Sequence, residues 1–192
     1  MVEPPEALLK TIDHVSIIVH DLQATLREYV ERGGLGPWAI YTYAPPDLQN
    51  MKVRGKPTSY SMRLALAWVD GILWELIQPL EGPSVYREFL DTRGEGVHHV
   101  GRVQQTDMPL REALAAFEQR GIPPLMEGSY KGTDFAYVAT DGPFKIAMEL
   151  VQRAPGWRRP PPERWYPAAP ESAVPGMPDL REGSAKKERT AR

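Results

Sequence analysis

The chain writes one frame twice. Ile12-Asp13-His14-Val15-Ser16-Ile17-Ile18-Val19 is a β-branched run that reads as a buried strand, and Val97-His98-His99-Val100-Gly101-Arg102-Val103 reads the same way. Each run is followed by an aspartate placed to cap a helix, Asp21 before LQATLREYVERGG and Asp107 before MPLREALAAFEQRG, with Gly33 and Gly121 near the helix ends. Leu22, Leu26, Tyr29 and Val30 recur at helical spacing in one segment, and Leu110, Leu114 and Phe117 in the other, so each helix presents an apolar face to a sheet. Asp70-Gly71 and Asp141-Gly142 predict hairpins between the later strands. Each half closes on Glu-Leu-x-Gln, at Glu75 to Gln78 and at Glu149 to Gln152. The distance from the His to the Glu is 61 positions in the first half (14 to 75) and 50 in the second (99 to 149). Duplication of one sheet-forming βαβββ unit accounts for this pattern.

The expected organisation is an N-terminal extension over 1–9, a first βαβββ module over 10–80, a linker helix in 81–95, a second module over 96–152, and a Pro-rich, partly disordered tail over 153–192. The helix in the linker is predicted from about Pro83 to Asp91. The tail carries eight of the twenty prolines, with nine Lys/Arg against five Asp/Glu, a net of +4 that leaves about -6 on the first 152 residues of a chain whose total is -2. Trp157, Trp165 and Tyr166 are unusual in a disordered segment, so the first part of the tail is expected to pack on the body or on a partner subunit. The acidic balance, with a pI near 6.1, argues against nucleic acid or an anionic membrane as a partner. No apolar run approaches a membrane span, which makes a cytoplasmic protein the expectation. With no cysteine, any metal must sit on histidine and carboxylate.

Alternation along a strand turns His14 away from the helix together with Ile12, Ser16 and Ile18. Glu75 shares a face with Leu73 and Ile77, and Glu149 with Ala147 and Lys145. A carboxylate among apolar neighbours is costly to bury unpaired, and two of them at matching places in a repeat call for a cation. A divalent ion on two imidazoles and two carboxylates is charge-balanced, and the mixed nitrogen and oxygen set suits nickel, cobalt, zinc, manganese or iron better than calcium.

Paired βαβββ units with His on each first strand and Glu on each last strand resemble the vicinal oxygen chelate superfamily over about residues 10–152. IDHVSIIVHDL, GEGVHHV and MELVQ are most similar to methylmalonyl-CoA epimerase-like and glyoxalase I-like proteins. The resemblance implies an α+β fold in which the two modules form a concave mixed sheet around a metal site held by His14, Glu75, His99 and Glu149, and it selects His99 over His98. The epimerase pattern commonly has Gln where this chain has Glu75, and it carries a further non-ligand Glu on an earlier strand. Here Tyr60 to Trp68 offers only Arg63 as a charged residue.

The expected function is that of a metal-dependent isomerase, epimerase or lyase. It would remove a proton beside a metal-chelated carbonyl of a small carbonyl or acyl substrate, with Glu149 or Glu75 as base. Two alternatives stand beside it: an Fe(II) extradiol-type dioxygenase, and a non-catalytic small-molecule binding or resistance protein. Trp38, with Tyr41 and Tyr43, is expected to wall the substrate pocket. Arg63 and Lys131 are candidates to hold a substrate anion. His98 is expected to be a packed, hydrogen-bonded histidine, His20 a surface residue, and Tyr86 or Phe89 a shield over the cleft. A homodimer fits the resemblance.

Overall fold

The computed structural model describes residues 11–69, 71–103 and 108–170. The first unit runs β1 (His14–Ile18), α1 (Leu22–Glu31), β2 (Trp38–Tyr43), a short hairpin of β3 (Leu48–Val53) and β4 (Lys56–Pro57), then β5 (Met62–Val69) and β6 (Ile72–Pro79). Helix α2 (Val85–Arg93) leads to the second unit: β7 (Gly96–Val103), α3 (Leu110–Gln119), β8 (Pro124–Tyr130), β9 (Thr133–Val138), the one-turn helix α4 (Asp141–Phe144) and β10 (Ala147–Arg153). Beyond it the tail adds β11 (Arg164–Tyr166).

The eleven strands of the described residues form one mixed sheet in the order β11-β2-β5-β6-β1-β7-β10-β9-β8-β3-β4. The units meet at its centre, where β1 pairs antiparallel with β7, and within each unit the first strand runs parallel to the last. The sheet is strongly curled. Seven strand spacings of about 4.8 Å would hold β2 and β8 roughly 34 Å apart if it were flat. Instead Tyr43 at the end of β2 stacks on Tyr130 at the end of β8 with ring centroids 3.6 Å apart.

Alternation then sorts the core into two sides. Leu22 and Leu26 of α1 pack with Val19, Trp38, Ile40, Ala65, Ala67 and Leu76 on the outer side of the first unit. Leu110, Ala113 and Phe117 of α3 do the same with Ala136, Val138 and Leu150 in the second. The largest cluster fills the concave side, where Val85, Tyr86 and Leu90 of α2 join Ile18, Ile77 and Tyr137.

The closing Gln of each half has a structural role. Gln78 Oε1 accepts from the Leu22 amide at 3.0 Å and Gln152 Oε1 accepts from the Leu110 amide at 3.0 Å. Each satisfies an otherwise unpaired donor in the first turn of its own unit's helix. Three residues before each Gln, on the opposite face of the strand, stands the Glu. The repeated motif therefore ties helix to sheet on one side while it presents a carboxylate on the other.

Several expectations change. Asp21 caps α1 by accepting from the Ala24 amide at 2.9 Å. Asp70 and Asp107 lie outside the described residues, and α3 follows Pro109 without a side-chain cap of its own. Asp141-Gly142 is no two-residue hairpin turn. It opens α4, which ends at Lys145 in left-handed conformation, so Lys145 lies outside β10. The β3–β4 hairpin was not anticipated: it leaves the first unit to pair with β8 of the second, burying Leu48 and Val53. The linker helix starts at Val85, capped by Ser84.

Trp38 is fully buried beneath α1, donating from Nε1 to the Leu35 carbonyl at 2.7 Å and meeting Tyr29 edge to face. Trp38→Ala should therefore destabilise the protein by about 3–5 kcal/mol. Urea unfolding measures this, and the ultraviolet and metal-binding signatures of the concave face should persist in the folded variant.

Candidate metal centre

The register of the four central strands sets out the candidate ligands in two rungs. One rung reads Glu75, Ser16, His99, Ala147 across β6, β1, β7 and β10; the other reads Leu73, His14, Gly101, Glu149. The rungs are related by the duplication: in each, a small residue stands between a His and a Glu. Gly101 is required there, because a Cβ on it would lie 1.8 Å from Cε1 of the His14 ring. Ser16, buried opposite His99, is the corresponding small residue of the other rung.

Sheet curvature brings the four side chains to one point. One donor atom from each of His14, Glu75, His99 and Glu149 lies within 4.8 Å of the others. His14 Nε2 is 2.7 Å from Glu149 Oε2, and His99 Nε2 is 3.4 Å from Glu75 Oε2 and 3.6 Å from Glu149 Oε2. The imidazole rings meet edge to face, 5.5 Å apart. Yet His14 Nε2, His99 Nε2 and Glu75 Oε2 are buried with no partner in hydrogen-bonding geometry. Atoms so close that do not bond to one another are aimed at a common point. Buried polar atoms are rarely left in this state, and a divalent cation satisfies all of them while balancing the two carboxylates. The residues fit such an ion.

The surroundings orient these ligands. Nδ1 of His99 lies 2.9 Å from Nδ1 of His98. Burial, then the neighbouring His99, hold the His98 pKa well below its ordinary range. A neutral His98 that accepts the Nδ1 proton of His99 leaves the His99 Nε2 lone pair facing the cluster. His98 itself packs edge to face against Phe89 and Tyr86 of α2. On the other side Tyr137 donates to Glu149 Oε1 at 2.6 Å, and the Tyr86 hydroxyl lies 2.6 Å from that of Tyr137. Burial, and next the Glu149 charge, raise both tyrosine pKa values well above the usual value, so both stay protonated donors. Tyr86 thus lies behind the cluster in a chain of hydroxyls rather than as a lid. Tyr137 was missed from sequence: it stands directly opposite Glu149 in the β9–β10 ladder, but the one-turn α4 hides that register.

A cavity of about 70 Å³ opens beside the cluster, with Tyr43, Leu66, Phe135 and Val151 among its apolar walls. Glu75 and Glu149 are its only carboxylates among the described residues. The proposed substrate contacts lie elsewhere. Trp38 faces the outer core because it has the opposite strand parity to Tyr41 and Tyr43. Arg63, of like parity to Trp38 across the β2–β5 ladder's outer face, is exposed and donates to Thr42 Oγ1 at 3.4 Å. Lys131 sits in the β8–β9 turn, 2.9 Å from Asp47. A larger groove of about 750 Å³ runs between the β3–β4 hairpin, β8 and α3, on a different face from the cluster.

A family model for the glyoxalase/bleomycin resistance protein/dioxygenase superfamily matches residues 13–140, two thirds of the chain. The chain belongs to that superfamily. Solved members with the same fold include methylmalonyl-CoA epimerase from Mycobacterium tuberculosis, 22% identical, with a TM-score of 0.56 over 79% of this chain and 93% of that one. A hypothetical protein from Bacillus halodurans is 18% identical, with a TM-score of 0.53 over 78% and 98%. A variant of Streptomyces coelicolor methylmalonyl-CoA epimerase in complex with 2-nitronate-propionyl-CoA is 23% identical, with a TM-score of 0.50 over 76% and 96%. At these identities the likeness is one of fold. No curated protein matches the sequence.

The electrostatics of the metal-free cluster lead to a prediction for this superfamily member. Burial pulls the His99 pKa down, but the Glu149 and Glu75 carboxylates that face its Nε2 outweigh it and raise it from 6.5 to about 9. Burial pushes the Glu149 carboxyl up, but His14 and His99 outweigh that and hold it well below 4.5. A raised histidine stabilises the fold fully below 6.5, and this contribution is lost as pH climbs through 9; a depressed carboxylate stabilises above 4.5, and this is lost in acid. Metal-free protein should therefore be most stable between about pH 5 and 6.5 and weaken toward pH 9. Urea midpoints across that range check this, and added zinc should remove the alkaline loss because the ligands then bind the ion instead of protons.

Proposed function

We propose that this chain is a metal-dependent enzyme that removes a proton beside a carbonyl of a chelating substrate, with an isomerase, epimerase or lyase outcome. The observation that carries the reading is the convergence of four buried donor atoms, three of them without hydrogen-bond partners, on the wall of a small cavity. His14, Glu75, His99 and Glu149 would hold the ion: nickel, cobalt, zinc, manganese or iron. When bound there, such an ion polarises a chelated carbonyl and stabilises the charge that develops as the neighbouring C–H is broken. A fourth protein donor, Glu75, distinguishes this set from the two-His, one-carboxylate arrangement of extradiol oxygen chemistry.

The two carboxylates divide the work. Glu149 is fixed: Tyr137 occupies its Oε1, Tyr86 backs Tyr137, and Oε2 faces both imidazoles. Glu75 has no such restraint at Oε2 and is the more exposed of the two, with 14% of its side chain accessible against 9% for Glu149. We assign Glu75 Oε2 as the proton acceptor and Glu149 as the anchoring ligand. Among the described residues, no third carboxylate lines the cavity to serve as a second base, so the proton returns from Glu75 or from water. The apolar walls keep bulk water from quenching the carbanion-like charge.

Metal-loaded protein incubated in deuterated water with a panel of 2-hydroxy ketones, 2-hydroxy acids and acyl thioesters should exchange the α-hydrogen of at least one compound, as read by proton NMR. Glu75→Gln, which retains an oxygen donor, should slow that exchange by about 100-fold or more. Exchange by no member of the panel, or exchange indifferent to Glu75→Gln, would contradict the assignment.

A further inference from the structure

The Pro-rich tail begins by crossing the site. From the end of β10 the chain is pinned at the β8–β9 turn, where the Ala154 amide donates to the Gly132 carbonyl at 2.9 Å and Trp157 Nε1 donates to the Lys131 carbonyl at 3.1 Å. Six residues after Trp157 it is pinned to the other half of the molecule. Here the Glu163 amide donates to the Ile40 carbonyl at 2.9 Å, Glu163 Oε1 accepts from the Thr42 amide at 2.7 Å, and β11 pairs with β2. Between the anchors, Pro160-Pro161-Pro162 removes three backbone donors and fixes three φ angles, which makes a stiff span. The Pro160 carbonyl accepts from the Tyr41 hydroxyl at 3.2 Å.

This strap adds positive charge to a cavity whose two carboxylates a divalent ion would balance. Trp157 and Arg159, with Arg153 at the end of β10, line the same cavity as His14, Glu75 and Glu149. The Arg153 guanidinium lies 4.2 Å and that of Arg159 5.4 Å from the Trp157 ring centroid, so one indole positions both cations. Arg159 is half-buried, lies beside the Tyr41 hydroxyl, and forms no ion pair among the described residues. Two carboxylates already balance a divalent ion, so the guanidinium of Arg159 leaves the pocket with surplus positive charge. A half-buried guanidinium without a counter-charge is a site for one. The cavity's roughly 70 Å³ accommodates a ligand of a few heavy atoms.

We propose that the strap makes this pocket selective for a small, metal-chelating carboxylic acid, with Arg159 as the residue that pairs with the ligand's anionic group and Trp157 as its positioning residue. The inference deepens the metal reading above and rests on it. The ligand's neighbouring oxygens face the metal ligands, and its remaining carboxylate oxygen faces the strap. A bulkier acyl compound would place only its acyl end here.

Cobalt(II)-loaded protein provides a test that needs no turnover. Oxalate and acetohydroxamate both chelate a metal through neighbouring oxygens, but only oxalate keeps further carboxylate oxygens to meet Arg159. Visible absorption of the cobalt, or calorimetry, gives both affinities. In Arg159→Gln, oxalate should bind about tenfold or more weakly, as expected for loss of a charge-assisted hydrogen bond. Acetohydroxamate should be unchanged, and Arg159→Lys should recover part of the loss. Unchanged oxalate affinity in Arg159→Gln, or an equal loss for both probes, would overturn the proposal. Failure of the unaltered protein to take up cobalt would overturn the metal reading itself, and it is distinguishable because failure of the anion reading alone leaves loading normal.

Discussion

The antiparallel pairing of β1 with β7 is the contact on which the rest of the molecule depends. It joins the two copies of the unit, and its register sets His14 across from Gly101 and His99 across from Ser16. A shift of one residue would turn every side chain of one strand to the other face and would send one imidazole into the helix-side core. Since each unit's last strand lies parallel to its first, the same register fixes where Glu75 and Glu149 fall. Nothing larger than glycine fits beneath the His14 ring. Curvature completes the arrangement, drawing side chains from alternate strands to within ligand distance.

Burying two carboxylates and two imidazoles in an apolar trough is costly unless every charge is met. The structure meets it from behind with Tyr137, itself backed by Tyr86, on Glu149 and with His98 on His99. In front, three donor atoms stay open toward one another. The fold thus holds the donors in place against their own mutual pairing, the preorganisation that metal ligation requires. The strap then adds positive charge from Arg159 on the cavity's remaining side.

Much of this was readable in the sequence because duplication supplies its own control. A lone His14 or Glu75 would mean little, but two His on first strands and two Glu on last strands give the same parity argument twice. The helix faces were legible from their periodicity as well. Parity applied to β2 would also have placed Trp38 opposite Tyr41 and Tyr43, away from the cavity. Other features depend on tertiary partners that no local pattern encodes. The β3–β4 hairpin pairs with the far unit, and Tyr137 finds Glu149 only because α4 replaces a tight turn. Proline content marks the tail as a poor core former, yet the backbone bonds of Ala154 and Glu163 and the Trp157 ring turn its first part into a wall of the site. Residues 171–192 lie outside the described residues.

The central claim, one divalent ion bound by a His and a Glu from each rung of the duplicated sheet, is tested most directly by X-ray absorption on zinc-loaded protein. The account predicts one zinc per chain in a mixed nitrogen and oxygen shell with the multiple-scattering signature of two imidazoles, at ligand distances of about 2.0–2.2 Å. An all-oxygen shell, a single imidazole, or no stoichiometric zinc would contradict it.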